Sequence, residues 1–199
     1  MILVAGGDSF IWGSELPDHR HGGPGGYSNL TFFTRQLIAN FDRYICAAYP
    51  GIGNREIAER VIDNLVPDCV VAVCWTWPSR DNETDSDKHI SKLQTYLELK
   101  SIPYLFTCAD NCIITGQLDY TNWYMFPKGE YPYETQTPRG FYQWAVENKY
   151  ECGKEHHPLE SAHRDAATLL QGHFNELVKK TLQQSPVGNS LSQKTKRTT

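Results

Sequence analysis

The chain opens on an apolar run, Ile2-Leu3-Val4-Ala5, that stops at Gly6-Gly7 and turns polar at Asp8-Ser9. A short run of β-formers broken by two glycines predicts a buried strand whose carboxyl end delivers Ser9 into a loop. Leu30, Phe33, Leu37, Ile38 and Phe41 then recur at helical spacing behind a capping Ser28 or Asn29, which predicts a first helix packed on the sheet. Arg43 to Ala48 reads as a second strand ending in Tyr49-Pro50-Gly51-Ile52-Gly53-Asn54. Asn54 is the expected cap of a helix whose Ile57, Ala58, Val61, Ile62 and Leu65 share one face. Cys69 to Trp75 is almost continuously apolar, the pattern of a central strand covered on both faces. Pro78 closes it. Ile90, Leu93, Leu97 and Leu99 mark a third helix and Pro103 to Thr107 a fourth strand.

Strands and helices therefore alternate at spacings suited to right-handed crossovers, and the expected fold class is α/β with a doubly wound parallel sheet. From Asp110 to Tyr150 the periodicity gives way to tyrosines, Trp123, Phe126, Phe141 and Trp144 among prolines and glycines. Such density fits an insertion folded over the sheet edge or the site, and equally a docking surface for a protein partner. Pro158 is well placed in a first helical turn, leaving His157 just outside a final amphipathic helix with Leu169, Leu170, Phe174, Leu177 and Val178. The expected organisation is a domain over residues 1–183, with the aromatic insertion at about 110–150, and a flexible polar tail over 184–199.

Composition narrows the function. With 199 residues, 40% of them hydrophobic, one well-buried domain is expected, and a net charge of −4 offers no basic field for nucleic acid. No run approaches the length of a membrane span. A strand starting at Ile2 leaves no room for a signal peptide, so a cytoplasmic location is expected. Cys46, Cys69, Cys74, Cys108, Cys112 and Cys152 lie mostly in or beside apolar runs without paired spacing, as buried thiols do. Partners should be small molecules or proteins.

The candidate chemistry collects where strands end. Ser9 offers a hydroxyl that a neighbouring base could activate, or Asp8 and Ser9 simply cap the next segment. Gly51 lies in a strand-to-helix turn whose free backbone N–H groups could hold an anion, if it is more than a tight turn. Trp75 and Trp77 around Thr76 could line a pocket or pack beneath a loop. The loop from Trp12 to Tyr27, with Asp18, His19, His21 and five glycines, reads as a mobile rim. Its two histidines, like His156, His157 and His163, invite a metal reading that the cysteine spacing does not support. No metal and no cofactor are expected.

Together, Gly7-Asp8-Ser9 after the first strand, Pro50-Gly51 after the second and His157-Pro158 before the last helix resemble the first, second and fifth sequence blocks of the SGNH (GDSL) hydrolases. The resemblance runs from residue 2 to about 178. It implies a flavodoxin-like, three-layer α/β/α fold with a mostly parallel five-stranded sheet, and an esterase or deacetylase acting on a small or carbohydrate-linked ester. It would make Ser9 the nucleophile, His157 the general base, and the N–H groups of Ser9 and Gly51 oxyanion donors. Two departures stand out. Trp77 occupies the place of the family's third-block asparagine, where its indole N–H could serve as a donor. Lys154 occupies the place of the aspartate that orients the histidine, and a lysine cannot do that. Asp8, Asn54, Thr76, Glu155 and Glu160 are the polar groups at hand for orienting or pocket roles. The alternative is a protein that keeps the fold without the chemistry and binds partners through its aromatic insertion and tail. Short chains of this kind also resemble uncharacterised bacteriophage-encoded proteins, for which a virion or assembly role is one version. A nucleotide or flavin binder is disfavoured because no Gly-x-Gly-x-x-Gly follows a strand.

Overall fold

The computed structural model describes residues 1–19, 26–81, 85–127 and 139–184. Four parallel strands, β1 (Ile2–Gly6), β2 (Arg43–Cys46), β3 (Cys69–Trp75) and β4 (Tyr104–Cys108), form a sheet of order β2-β1-β3-β4. Ile2 stands opposite Arg43 on one side and Cys69 on the other, and Val71 stands opposite Tyr104. Strand order reverses between β1 and β3, so the crevice in which open α/β sheets bind ligands lies beyond the carboxyl ends of these two strands.

Alternation along the strands makes the three layers. Val4, Val71, Val73 and Trp75 point to a face covered by α3 (Asn54–Asp63) and α4 (Ser86–Leu99) through Ile57, Val61, Ile90, Leu93 and Leu97. Leu3, Ala5, Val70, Ala72 and Cys74 point the other way, onto Phe10, Phe32, Phe33 and the long α6 (Glu160–Gln184) with Ala166, Leu170 and Phe174. All seven residues of β3 are buried, as its apolar run predicted. Each fully buried Val, Ile, Leu or Phe side chain contributes about 1.5–3 kcal/mol, and the two layers are what hold the sheet.

Several expectations are corrected. The sheet has four strands among the described residues, not five: beside β4 the chain makes a single parallel bridge, Phe106 to Trp123. Residues 30–41 do not form one helix but a 3₁₀ turn, Thr34–Gln36, and a one-turn α2, Leu37–Asn40. The reason is local. Ser28 Oγ accepts from Leu30 N at 2.9 Å and Thr34 Oγ1 donates to Thr31 O at 2.9 Å, bonds that compete with a helix, and neighbouring Phe32 and Phe33 are both fully buried. A helix that was not foreseen, α1 (Ser9–Trp12), follows β1 directly. Leu99 ends α4 exposed, and α6 begins two residues beyond Pro158.

In the aromatic segment, Phe126 and Phe141 pack into the core against Phe32, and Trp144, which shares α5 (Phe141–Glu147) with Phe141, packs on both; the three are not a free surface. Residues 128–138 of that segment, His21 in the loop after Trp12, and all of the tail beyond Gln184 lie outside the described residues. No described helix is long and apolar enough to cross a membrane.

Candidate active site

The site is built where β1 turns into α1. Gly7 has φ +153°, and a Cβ there would stand 2.4 Å from Ile11 Cγ1, so only glycine lets α1 fold back so closely on the strand. Asp8 is the N-cap. Its buried carboxylate accepts from Phe10 N at 3.0 Å and from Thr76 Oγ1 at 2.6 Å, and pairs with Arg80 Nη1 at 3.2 Å. These contacts tie α1 to the end of β3. Ser9, the first residue of the helix, is 5% exposed, and its hydroxyl makes no hydrogen bond among the described residues.

The imidazole arrives from the far end of the chain. Residues 151–159 double back on themselves, with Gly153 N donating to His157 O at 2.9 Å and Leu159 N to Glu151 O at 2.9 Å, and Cys152 bridging Pro158. His157 is thereby fixed outside α6, its ring centroid 5.3 Å from that of Phe10, the residue after Ser9.

Its partner is one that sequence reasoning missed. After α1 ends at Gly13, Glu15 adopts φ +66° and turns its carboxylate back, placing Oε2 2.9 Å from His157 Nδ1. The same carboxylate accepts from Glu155 N, at 3.0 and 3.1 Å from its two oxygens, and from His157 N at 3.4 Å. Burial alone would raise the Glu15 pKa; the hydrogen bonds from the imidazole and the two backbone N–H groups outweigh it and hold the carboxyl below its ordinary value. An ionised carboxylate can only accept, so Nδ1 carries the hydrogen, and in the neutral ring Nε2 is then the nitrogen with the lone pair. Gly153 makes room, since a Cβ there would lie 2.5 Å from the Glu15 carboxyl. The available signal was an acidic residue soon after Ser9, beyond a glycine that ends a one-turn helix.

The other sequence candidates take different duties. Lys154 is exposed. Glu155 contributes its backbone N–H to Glu15, and Glu160 pairs with Arg35 at 2.7 Å, so neither carboxylate reaches the imidazole. Asn54 does not cap α3. Gly53 is the cap, Asp81 accepts from Asn54 N at 2.6 Å, and the Asn54 amide instead clamps Thr76, accepting from its N at 2.9 Å and donating to its O at 3.0 Å. Thr76, bound through its hydroxyl to Asp8, is a strut of the crevice wall. Gly51, at φ +79° and exposed, has nothing within 4 Å of where a Cβ would stand, which leaves the backbone there open to an approaching group. Trp77 packs on Phe10 at 5.5 Å and Tyr142 at 6.0 Å, with the guanidinium of Arg80 5.6 Å above its ring.

His163 belongs to the core. It is stacked on Phe32, accepts from Phe32 N at 3.3 Å, and burial, with the Arg35 guanidinium nearby, pushes its pKa down to about 3. His19 accepts from Trp12 Nε1 at 2.9 Å. Among the described residues no three His, Cys, Asp or Glu side chains gather as a metal site would require.

Fold and site together define an α/β protein carrying a serine at a strand-to-helix turn and a carboxylate-held histidine packed on the next residue, Phe10. Among solved structures the chain is similar to one described as "The active site of a carbohydrate esterase displays divergent catalytic and non-catalytic binding functions", at 14% identity and TM-score 0.49 over 88% of this chain and 64% of that one. The chain thus spans less than two thirds of that protein. It is also similar to phospholipase A1 from Streptomyces albidoflavus NA297, at 12% identity and TM-score 0.38 over 91% of this chain and 75% of that one. No family model and no curated protein matches the sequence.

Proposed function

We propose that the protein is a serine hydrolase of the SGNH type, cleaving the ester or acetyl group of a small or carbohydrate-linked substrate. The observation that carries this reading is the 2.9 Å contact between Glu15 Oε2 and His157 Nδ1, which supplies the anionic partner that Lys154 could not. In this reading Ser9 Oγ attacks the substrate carbonyl while its proton passes to His157 Nε2. Glu15 holds the ring in the tautomer that can accept that proton and stabilises the imidazolium that forms. The backbone N–H groups of Ser9 and Gly51 hold the oxyanion. The proton returns to the departing alkoxide, and water repeats the sequence on the acyl-serine. A serine–histidine hydrogen bond that is absent in the free protein commonly forms only once substrate is bound.

The test is to treat the purified protein with a fluorophosphonate and to measure turnover of p-nitrophenyl acetate. A single mass adduct on Ser9, together with turnover that Ser9→Ala removes, is expected. Absence of both from a folded protein overturns the reading in favour of a binding protein that keeps the fold without the chemistry.

A further inference from the structure

The sequence offered the indole N–H of Trp77 as the third oxyanion donor, where the resembled family has a side-chain amide. The region around that indole holds a cation. Arg80 closes the short 3₁₀ turn Pro78–Arg80 that follows β3, at the same carboxyl edge of the sheet as Ser9. Its guanidinium is positioned from two sides: Nη1 lies 3.2 Å from the Asp8 carboxylate, one residue before Ser9, and its central carbon stands 5.6 Å over the ring of Trp77, which packs on Phe10, one residue after Ser9. An arginine has five N–H donors in a fixed fork. Asp8 engages one amino group, and among the described residues no other acceptor engages the guanidinium, whose side chain remains 29% exposed. A donor group anchored on one amino group, resting on an indole and still part-exposed at this edge of the sheet is a preorganised one.

We propose that Arg80 is the missing oxyanion donor, a guanidinium doing the work that a neutral side-chain amide does in the family this chain resembles. The inference rests on the hydrolase reading of the same site. Trp77 acts through Arg80, as the aromatic floor that keeps the cation from swinging into solvent. Asp8 offsets most of the ground-state charge of Arg80, so the remaining N–H groups favour the negative oxygen that develops in the tetrahedral intermediate over the neutral carbonyl that precedes it.

The experiment compares wild type with Arg80→Ala, Arg80→Lys and Arg80→Gln on p-nitrophenyl acetate, with phenylboronic acid as a probe that becomes a tetrahedral anion on Ser9. Loss of one oxyanion donor costs on the order of 100 to 1000-fold in turnover. Arg80→Ala is expected to lower kcat by that factor with KM within about twofold, and to raise the boronate inhibition constant in proportion. Arg80→Gln, which restores an amide donor, should recover part of both. Thermal melting identifies a variant that has merely lost its fold, and in that case Arg80→Lys, which keeps the partner of Asp8, carries the comparison. Unchanged kcat in folded Arg80→Ala overturns the proposal, and so does a raised KM with kcat intact, which would make Arg80 a contact to the bound ester rather than to the oxyanion. The hydrolase reading fails separately, by absence of the Ser9 adduct and of turnover in the wild type.

Discussion

Replacing Glu15 separates what the contact does for stability from what it does for reactivity. The carboxylate accepts three N–H groups, from His157 Nδ1, His157 N and Glu155 N, at 2.9 to 3.4 Å. Hydrogen bonds to a charged group are worth roughly 1.5–3 kcal/mol each where buried, but this side chain is partly exposed and a glutamine would keep one accepting oxygen. Glu15→Gln should therefore cost about 1–2 kcal/mol of stability. Glu15→Gly loses every bond, more than Glu15→Gln does, and relief of the left-handed backbone at φ +66°, roughly 1–2 kcal/mol, offsets only part of that, so it should melt at or below Glu15→Gln. Reactivity should not follow that order. Both variants deprive the imidazolium of its anionic partner, and kcat on p-nitrophenyl acetate should fall on the order of 100 to 10,000-fold in each, with KM little changed. The assay pairs steady-state kinetics with thermal melting of the same preparations. If both variants retain kcat within about threefold while Ser9→Ala is inactive, the imidazole does not depend on Glu15 and the assignment fails.

Two further outcomes are expected. Gly153→Ala places a Cβ 2.5 Å from the Glu15 carboxyl, the movable end of a side chain, so melting should shift little while kcat falls on the order of 100-fold as the carboxylate is pushed off Nδ1; an unchanged kcat would show that the contact tolerates displacement. His163 is held neutral with its pKa lowered from 6.5 to about 3, so the unfolded chain takes up its proton first as the pH falls. Stability from this group is fully present above 6.5 and is lost as pH drops toward 3. Between pH 6.5 and 4 the linkage amounts to roughly 3 kcal/mol, read as a fall in urea midpoint that His163→Phe should largely remove. An equal fall in the variant would refute it.

The strands were legible because each is a short, largely apolar run with a glycine or proline near one of its ends, and β3 because no polar residue interrupts it. Side-chain competition hid other elements: the threonines and serine between Ser28 and Thr34 bond to their own backbone, and a pattern of apolar positions cannot register that. Ser9, Gly51 and His157 stood out from their punctuation. Glu15 did not, because its partner lies 142 residues away in sequence and the resemblance pointed to the position held by Lys154. Asn54 was misread for the same kind of reason. A residue at the start of a helix looks like its cap until a carboxylate from another loop, Asp81, takes that role and frees the amide to hold Thr76.

Having the proposed orienting acid close in sequence to the proposed nucleophile, and far in sequence from the histidine it binds, changes what keeps the site in register. Ser9 and Glu15 sit at the two ends of one segment, joined by the single turn of α1. At its start, Asp8 binds Thr76 and pairs with Arg80, and Gly7 admits Ile11 against the backbone; at its end, Gly13 in the left-handed region lets the chain reverse so that Glu15 reaches His157. A tilt of that helix would move Ser9 and Glu15 together, while His157 stays with its own backbone loop. Alignment of the three groups in the proposed reaction therefore depends on how firmly α1 is docked on β3. The bonds through Asp8 and Thr76, remote from any bond being broken, then act on the rate by positioning.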